Sequence, residues 1–268
     1  MFSPNRHAQV KQFENIIAGL NPIQLEEAEK VKLFDRTDSK YIFKLSQLEA
    51  ILEKLTDEYR VLEVNGLRNQ VYRSLYFDTD NFLLYYGHLH GRANRYKIRI
   101  REYVSTQTYF LEIKFKTNQD RTIKRRSLAK GIETELNESQ IDFLTGSIPF
   151  SASLLKARTW TNFNRITLIH REKAERVTID TSPQWIYSEK VLELPSLVIA
   201  EVKRDKISAS SFAGLLKSSQ IRENGFSKYC IGNALIGPNL KYNLFKPTLL
   251  SIKKICKNEL PNLPSAAN

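Results

Sequence analysis

The sequence predicts an α+β fold, an antiparallel β-tunnel with helices packed on its outside. Segments in the middle of the chain alternate charged and apolar residues with the period of a strand. Turn-like stretches such as Asp78-Thr79-Asp80-Asn81 and Thr117-Asn118-Gln119-Asp120 separate several of them, and successive strands with short connections pair antiparallel. Amphipathic helical patterns flank and interrupt the strands, and each needs apolar surface to dock on.

Taken in order, Val10, Phe13, Ile16, Ile17 and Leu20 recur at helical spacing, and Asn21-Pro22 offers an N-cap and first-turn proline for a second short helix ending near Lys32. Leu33 to Phe43 reads as extended. Ser46 and Glu49 then form a possible capping box for a helix that turns Leu48, Ile51, Leu52 and Leu55 inward. Strands are predicted at Gln70 to Phe77, Tyr96 to Tyr103, Tyr109 to Phe115, Thr122 to Ser127, Asn162 to His170, Arg176 to Asp180 and Leu197 to Lys203. Helical patterns fall at Glu138 to Leu144, Ser208 to Leu216 and Lys228 to Ile236, and the end from Leu260 onward reads as a frayed tail. A chain of 268 residues, 41% hydrophobic, buries one substantial core, so one domain is expected, with residues 1–32 as a helical lead-in, 33–236 as the tunnel domain and 237–268 as a helical extension and tail.

The charged faces decide what the tunnel holds. Lys97, Arg99 and Arg101 oppose Ile98 and Ile100; Glu112, Lys114 and Lys116 oppose Ile113 and Phe115; Arg176, Thr178 and Asp180 oppose Val177 and Ile179; Glu201 and Lys203 oppose Ala200 and Val202. In a single strand such alternation is ordinarily a solvated face. Repeated across one sheet, it makes either a basic wall in water or a closed channel. The helices select the channel, because they dock on the apolar faces and leave the charge inside. Clustered, unpaired cations are costly to desolvate, so the channel calls for a polyanion.

Composition agrees: 41 Lys and Arg stand against 29 Asp and Glu, a formal charge of +12. Arg forks and Lys point charges suit a linear phosphate chain. Nucleic acid is set aside as a partner, since single-strand binders interleave stacking aromatics with their charge and double-strand readers present a basic helix. Only Cys230 and Cys256 are present, Met1 to Lys11 lacks the apolar stretch of a signal peptide, and no apolar run reaches the ~20 residues of a bilayer span. A reducing, cytoplasmic setting is expected, with any membrane reached through a partner. His7, His88, His90 and His170 lack the spacing of a zinc site, His88 and His90 lying near a turn after Tyr85-Tyr86-Gly87, and Cys230 reads as a buried helix residue.

In the order Arg36-Thr37-Asp38-Ser39-Lys40-Tyr41, Ser74-Leu75-Tyr76-Phe77-Asp78, Lys97-Ile98-Arg99-Ile100-Arg101, Leu111-Glu112-Ile113-Lys114, Asn164-Arg165, Arg176-Val177-Thr178-Ile179-Asp180, Ala200-Glu201-Val202-Lys203 and Phe226-Ser227-Lys228-Tyr229, the chain resembles the VTC domain. That domain is the catalytic module of the vacuolar transporter chaperone complex, within the triphosphate tunnel metalloenzyme (CYTH-like) superfamily. The resemblance covers roughly Leu33 to Ile236. It implies an eight-stranded tunnel that binds ATP and a divalent metal, Mn²⁺ or Mg²⁺, and extends an inorganic polyphosphate chain from the γ-phosphate.

By the same resemblance, Lys40, Arg99, Arg101 and Lys114 match residues that hold the nucleotide's phosphates, with Arg165 and Arg176 on the other wall. Lys124 adds a further contact, Lys203 shares the charged face of Glu201, and Glu201 matches the carboxylate that takes the metal. Ser227 and Lys228 match positions near the tunnel end, where a helix start also offers backbone N–H groups. Many tunnel enzymes begin with Glu-x-Glu-x-Lys. Here Arg36-x-Asp38-x-Lys40 replaces one carboxylate by a cation, as VTC-like sequences commonly do, which shifts metal binding toward Glu201. A hydrolase needs a carboxylate to activate water, whereas a polymerase uses a phosphate oxygen as nucleophile, so few inward carboxylates favour transfer. The expected activity is an ATP-polyphosphate phosphotransferase with Arg99, Arg101, Lys114 and Arg165 on the transferring group. A triphosphatase and a polyphosphate-binding module without activity are the alternatives.

Overall fold

The computed structural model describes residues 13–31, 36–119, 121–257 and 259–260. Val10, Lys32, the start of the extended stretch at Leu33, Asp120, His7 and the tail after Leu260 lie outside them. Eleven strands form one sheet: β1 (Pro22–Ile23), β2 (Arg36–Lys44), β3 (Tyr59–Leu62), β4 (Gln70–Asp78), β5 (Arg95–Tyr103), β6 (Thr108–Lys116), β7 (Thr122–Ala129), β8 (Lys156–His170), β9 (Glu175–Tyr187), β10 (Lys190–Glu193) and β11 (Leu197–Asp205). The described helices are α1 (13–19), α2 (Leu25–Lys30), α3 (Leu48–Glu53), α4 (Leu83–Leu89), α5 (Glu138–Thr145), α6 (Ser211–Ser218), α7 (Lys228–Ile236) and α8 (Lys246–Ile255).

Eight strands pair in the order β2-β11-β9-β8-β4-β5-β6-β7, every neighbour antiparallel. Among the described residues, no hydrogen bonds between its ends, β2 and β7, close the path. On the outer edge of β2, the Asn224 N–H donates to the Lys40 carbonyl at 2.7 Å and Tyr41 forms a bridge with Glu223. That segment occupies hydrogen-bonding groups a closing strand would need.

The apolar strand faces pack outward against helices. Val177, Ile179, Ala200 and Val202 share a core with Phe13 and Ile17 of α1, Leu48, Ile51 and Leu52 of α3, and Phe212 and Leu216 of α6. Ile98, Ile100, Leu111 and Ile113 pack with Leu144 of α5. Each face follows the parity of its strand. The helix α7 has a different environment, with every residue from Tyr229 to Ile236 buried. Ile231 and Leu235 pack with Trp185 and Ile199, while Tyr229 and Cys230 pack with Tyr76 and Tyr85.

Several local expectations are corrected. Pro22 does not start a helix but sits in β1, paired in parallel with β3, and α2 begins at Leu25. A proline is tolerated there because β1 is an edge strand. The Ser46/Glu49 box does not form; a 3₁₀ turn at Leu45–Gln47 leads into α3, and the Gln47 side chain accepts from the Lys44 N–H at 3.1 Å. The turn expected after Tyr85-Tyr86-Gly87 falls at His90 and Gly91, and the segment before it forms a helix that was not expected, α4, because the buried Asp78 carboxylate accepts from the N–H groups of Leu84 and Tyr85 at 2.9 and 2.8 Å and so caps it.

The strand β9 continues to Tyr187, past its expected end at Asp180. Ser182 adopts a left-handed φ of 48°, and the β8–β9 register shifts by one residue between Asn162 and Asn164. Such a bulge changes which face later side chains take. It sets Trp185 against α7, where its Nε1 donates to the Lys228 carbonyl at 2.8 Å. Among the described residues no helix is long and apolar enough to cross a membrane.

Candidate functional site

All eight strands of the path contribute side chains to one cavity of about 620 Å³. Lys40 comes from β2, Glu201 and Lys203 from β11, Arg176, Thr178 and Asp180 from β9, and Arg165 from β8. Tyr72 and Tyr76 come from β4, Lys97, Arg99 and Arg101 from β5, Glu112 and Lys114 from β6, and Lys124 and Arg126 from β7; Ser227 and Lys228 enter from the start of α7. Every site residue named from the sequence thus lines the same space. Lys97, Arg126, Glu112 and Asp180 join them, although strand parity already placed three of these on charged faces.

The strand register arranges the charges in rows. Lys97, Lys114 and Lys124 are successive cross-strand partners on β5, β6 and β7, and Arg99, Glu112 and Arg126 form the next row. Like charges directly opposite one another destabilise a sheet. On the other wall, Lys40 faces Glu201 and Glu201 faces Thr178.

Some cations are satisfied within the protein. Arg99 donates from Nε and Nη2 to Glu112 Oε2 at 2.8 and 2.7 Å and from Nη1 to the Tyr76 hydroxyl at 2.8 Å, and Lys124 meets Glu112 Oε1 at 2.5 Å. Arg165 grips both oxygens of Asp180 at 2.6 and 2.8 Å, and Lys228 donates to the same carboxylate. Burial opposes ionisation of Glu112 and Asp180, but Arg99, Arg101 and Lys124 around the first, and Arg165 and Lys228 around the second, hold both below the usual carboxylate range.

Other cations lack such partners. Among the described residues, Lys97, Arg101 and Lys114 have no carboxylate within 4.0 Å. Arg101 is buried, donates from Nε to Ser74 Oγ at 3.1 Å, and lies over the rings of Tyr72 and Phe163 at 5.3 and 5.8 Å. Burial, then the neighbouring Arg99, lowers its affinity for the proton. Burial also acts first on Lys114, followed by the charges of Lys97, Lys40 and Lys203, and pushes it down to about 7 against the pull of Glu201. Its side chain still meets the water of the cavity.

Glu201 is held more loosely than Glu112 or Asp180. Its two oxygens face Lys40 at 3.4 Å and Lys203 at 3.3 Å. Burial disfavours its charge, yet Lys203, Lys40, Lys114 and Arg165 hold it well below the usual range. Among the described residues no group of three or more His, Cys, Asp and Glu could hold a metal by itself. One anionic carboxylate with two long contacts fits a hard divalent cation that takes its remaining ligands from phosphate and water, not a protein-built cage.

Two sequence expectations change here. Inward carboxylates are not few, since Glu112 and Asp180 line the cavity with Glu201; each of the first two is committed to an arginine. Nor is the charge free of neighbouring rings, as the exclusion of single-strand nucleic-acid binders assumes; Tyr72 and Tyr76 line the cavity. Tyr72 stacks on Phe163, whose ring lies 5.1 Å from the Arg165 guanidinium and 4.3 Å from the Lys228 ammonium. Phe163 supports Arg165 and Lys228 from behind while Tyr72 stands on the cavity wall, and strand parity at Phe163 and Arg165 already puts that ring beside the cation.

The family model described as the VTC domain matches residues 35–236. No curated protein matches the chain. Among solved structures, a Bacillus halodurans protein provisionally named an adenylate cyclase is 15% identical, with a TM-score of 0.46 over 72% of this chain and 94% of its own. A Hippeastrum protein described as having a dominant triphosphatase activity is 14% identical, with a TM-score of 0.42 over 73% and 94%. An RNA triphosphatase of S. pombe is 10% identical, with a TM-score of 0.28 over 97% and 95%. These likenesses are too distant to carry chemistry to this chain.

Proposed function

We propose that this chain, which belongs to the VTC domain family, is a polyphosphate polymerase that transfers the γ-phosphoryl group of ATP to a growing inorganic polyphosphate chain. The observation that carries the reading is the set Lys97, Arg101 and Lys114, three cations lining one cavity with no carboxylate in ion-pair reach among the described residues. A cavity so charged is stabilised by an anion that touches several strands at once, as a phosphate chain does.

In the proposed mechanism, Arg99, Arg101, Lys114 and Arg165 stabilise the charge spread over the transferring group, and Lys124 and Arg176 add contacts along the triphosphate. Arg99 and Arg165 are oriented by Glu112 and Asp180, which removes much of the reorganisation at the moment of transfer. Lys40, Lys203, Ser227 and Lys228 hold the accepting chain. A terminal oxygen of that chain forms the new bond to the γ-phosphorus, the bond to the β-phosphate oxygen breaks, and ADP leaves. Glu201 would hold Mn²⁺ or Mg²⁺, which when bound neutralises phosphate charge.

A nucleophile that is already anionic needs no general base. Glu112 and Asp180, kept ionised by their arginines, are weak bases for activating water. That favours transfer over hydrolysis. The setting we propose is cytoplasmic, in keeping with Cys230 and Cys256, both buried and unbridged. Incubation with ATP and Mn²⁺, followed by separate assays for long-chain polyphosphate and free phosphate, tests the reading. Polymer with ADP supports it; free phosphate alone makes the chain a triphosphatase, and neither product leaves a binding module.

A further inference from the structure

From Gly225 to Lys257 the chain contains Lys228, Lys241, Lys246, Lys253, Lys254 and Lys257 but no Asp, Glu or Arg. Lys228 belongs to the cavity. The other five are exposed. The buried side of α8 is formed by Thr248, Leu249 and Ile252, which leaves Lys246, Leu250, Lys253 and Lys254 on the opposite stripe at helical spacing, with Lys257 exposed just past the helix end. Leu250 is 48% exposed and Leu244, in the turn before the helix, 63%. Of the nearest acids in sequence, Glu259 is engaged by the N–H and hydroxyl of Ser196, and Glu223 lies at the edge of β2.

We propose that this face of α8 docks the protein on an anionic lipid bilayer, with the lysines over the headgroups and Leu244 and Leu250 in the acyl boundary. Two features select a membrane over other acidic partners. The charges are all lysine, point charges without the planar fork that reads individual phosphates. They surround exposed leucines, whose burial in the acyl boundary adds to the attraction of lysines for anionic headgroups. The surface is separate from the cavity and does not depend on the activity proposed for it.

The test is sedimentation of the full chain with phosphatidylcholine vesicles, with and without phosphatidylserine, at moderate salt and with tripolyphosphate filling the cavity. Binding is expected only to the anionic vesicles. Lys253→Glu with Lys254→Glu, and separately Leu244→Ser with Leu250→Ser, should each weaken it at least tenfold while leaving tripolyphosphate affinity unchanged. Lys190→Glu with Lys217→Glu, the same charge change at exposed sites elsewhere, should alter it less than twofold. Wild-type protein that ignores anionic vesicles overturns the proposal. So does an equal loss in the control pair, which would mean diffuse attraction, or a leucine pair without effect, which would mean an acidic partner other than a bilayer. Should either charged variant unfold, Leu250→Trp gives an independent reading: brominated acyl chains must quench its added fluorescence, and no quenching sinks the idea.

Discussion

Lys97 and Lys114 stand directly opposite each other across β5 and β6, two ammonium groups on the cavity face of neighbouring strands. Nothing within the described fold neutralises the pair by direct contact. The protein therefore carries, between two paired strands of the cavity wall, an unfavourable contact that a polyanion removes.

Protonation of Lys114 should set opposite pH trends for stability and binding. Its folded pKa, about 7, lies below the unfolded value of about 10.4, so between these the unfolded chain holds more protons. Stability of the ligand-free protein therefore gains from this group as pH rises from 7 toward 10, while affinity for tripolyphosphate falls. Urea midpoints of the wild type and Lys114→Gln, measured across that window, isolate the effect. A difference between the two proteins that does not change with pH would remove Lys114 as the titrating group.

Arg99 and Arg101 lie two residues apart on one face but should respond oppositely to removal. Arg99→Gln takes away the main partner of the buried Glu112 and should lower stability by about 3 kcal/mol, the order of cost for breaking a buried pair. Arg101→Gln removes a cation with no such partner, so the ligand-free protein should be equally or more stable. Both variants should bind tripolyphosphate at least tenfold more weakly. Calorimetric unfolding beside a binding titration checks this, and equal destabilisation by both changes would contradict the assignment of pairs.

The contact between Gly232 and Trp185 links the core to the site. A Cβ at Gly232 would lie 2.2 Å from Trp185 Cδ1, and the same indole holds the Lys228 carbonyl. Gly232→Ala should cost about 1–3 kcal/mol by overpacking and weaken polyanion binding by displacing Lys228. Gly214→Ala in α6, where an added Cβ meets nothing within 4 Å, should be neutral or stabilising by up to about 1 kcal/mol. Melting temperatures of the two variants decide the matter; comparable values would show that α7 shifts freely.

Much of this site could be read from strand parity alone. Lys97, Arg99 and Arg101 needed only the period of β5, and the apolar faces that oppose them do pack against helices. Parity could not show which cations are paired, because Arg165 and Asp180 are fifteen residues apart and meet only through the β8–β9 register. Nor could it follow β9 past Asp180, where the left-handed Ser182 breaks the alternation that identified the strand. Pro22 departs from its local signature for a related reason. A proline after Asn has the local signature of a helix start, and only the distant β3 draws it into a sheet. The open seam between β2 and β7 depends on Glu223 and Asn224, from a loop whose sequence has no strand pattern.

Metal chemistry and phosphate binding separate at Glu201. Glu201→Gln keeps the side chain's size but removes the charge a hard divalent cation requires, so ATP-dependent polymer formation should fall by at least a hundredfold across Mn²⁺ concentrations. Metal-free binding should move the other way. Glu201 contacts Lys40 and Lys203 at 3.4 and 3.3 Å, and losing that anion frees both ammoniums for phosphate, so tripolyphosphate should bind as tightly or more tightly. Its stabilising effect at 100 times its dissociation constant should stay near 2.7 kcal/mol, and should exceed that of sulfate at equal ionic strength, since only a chain reaches several strands at once. Arg101→Gln, in contrast, should lower turnover and metal-free affinity together. The decisive comparison is polymer yield against metal-free affinity in both variants. Full activity of Glu201→Gln would mean that the divalent cation is held by phosphate and water alone, and that Glu201 serves only to fix Lys40 and Lys203.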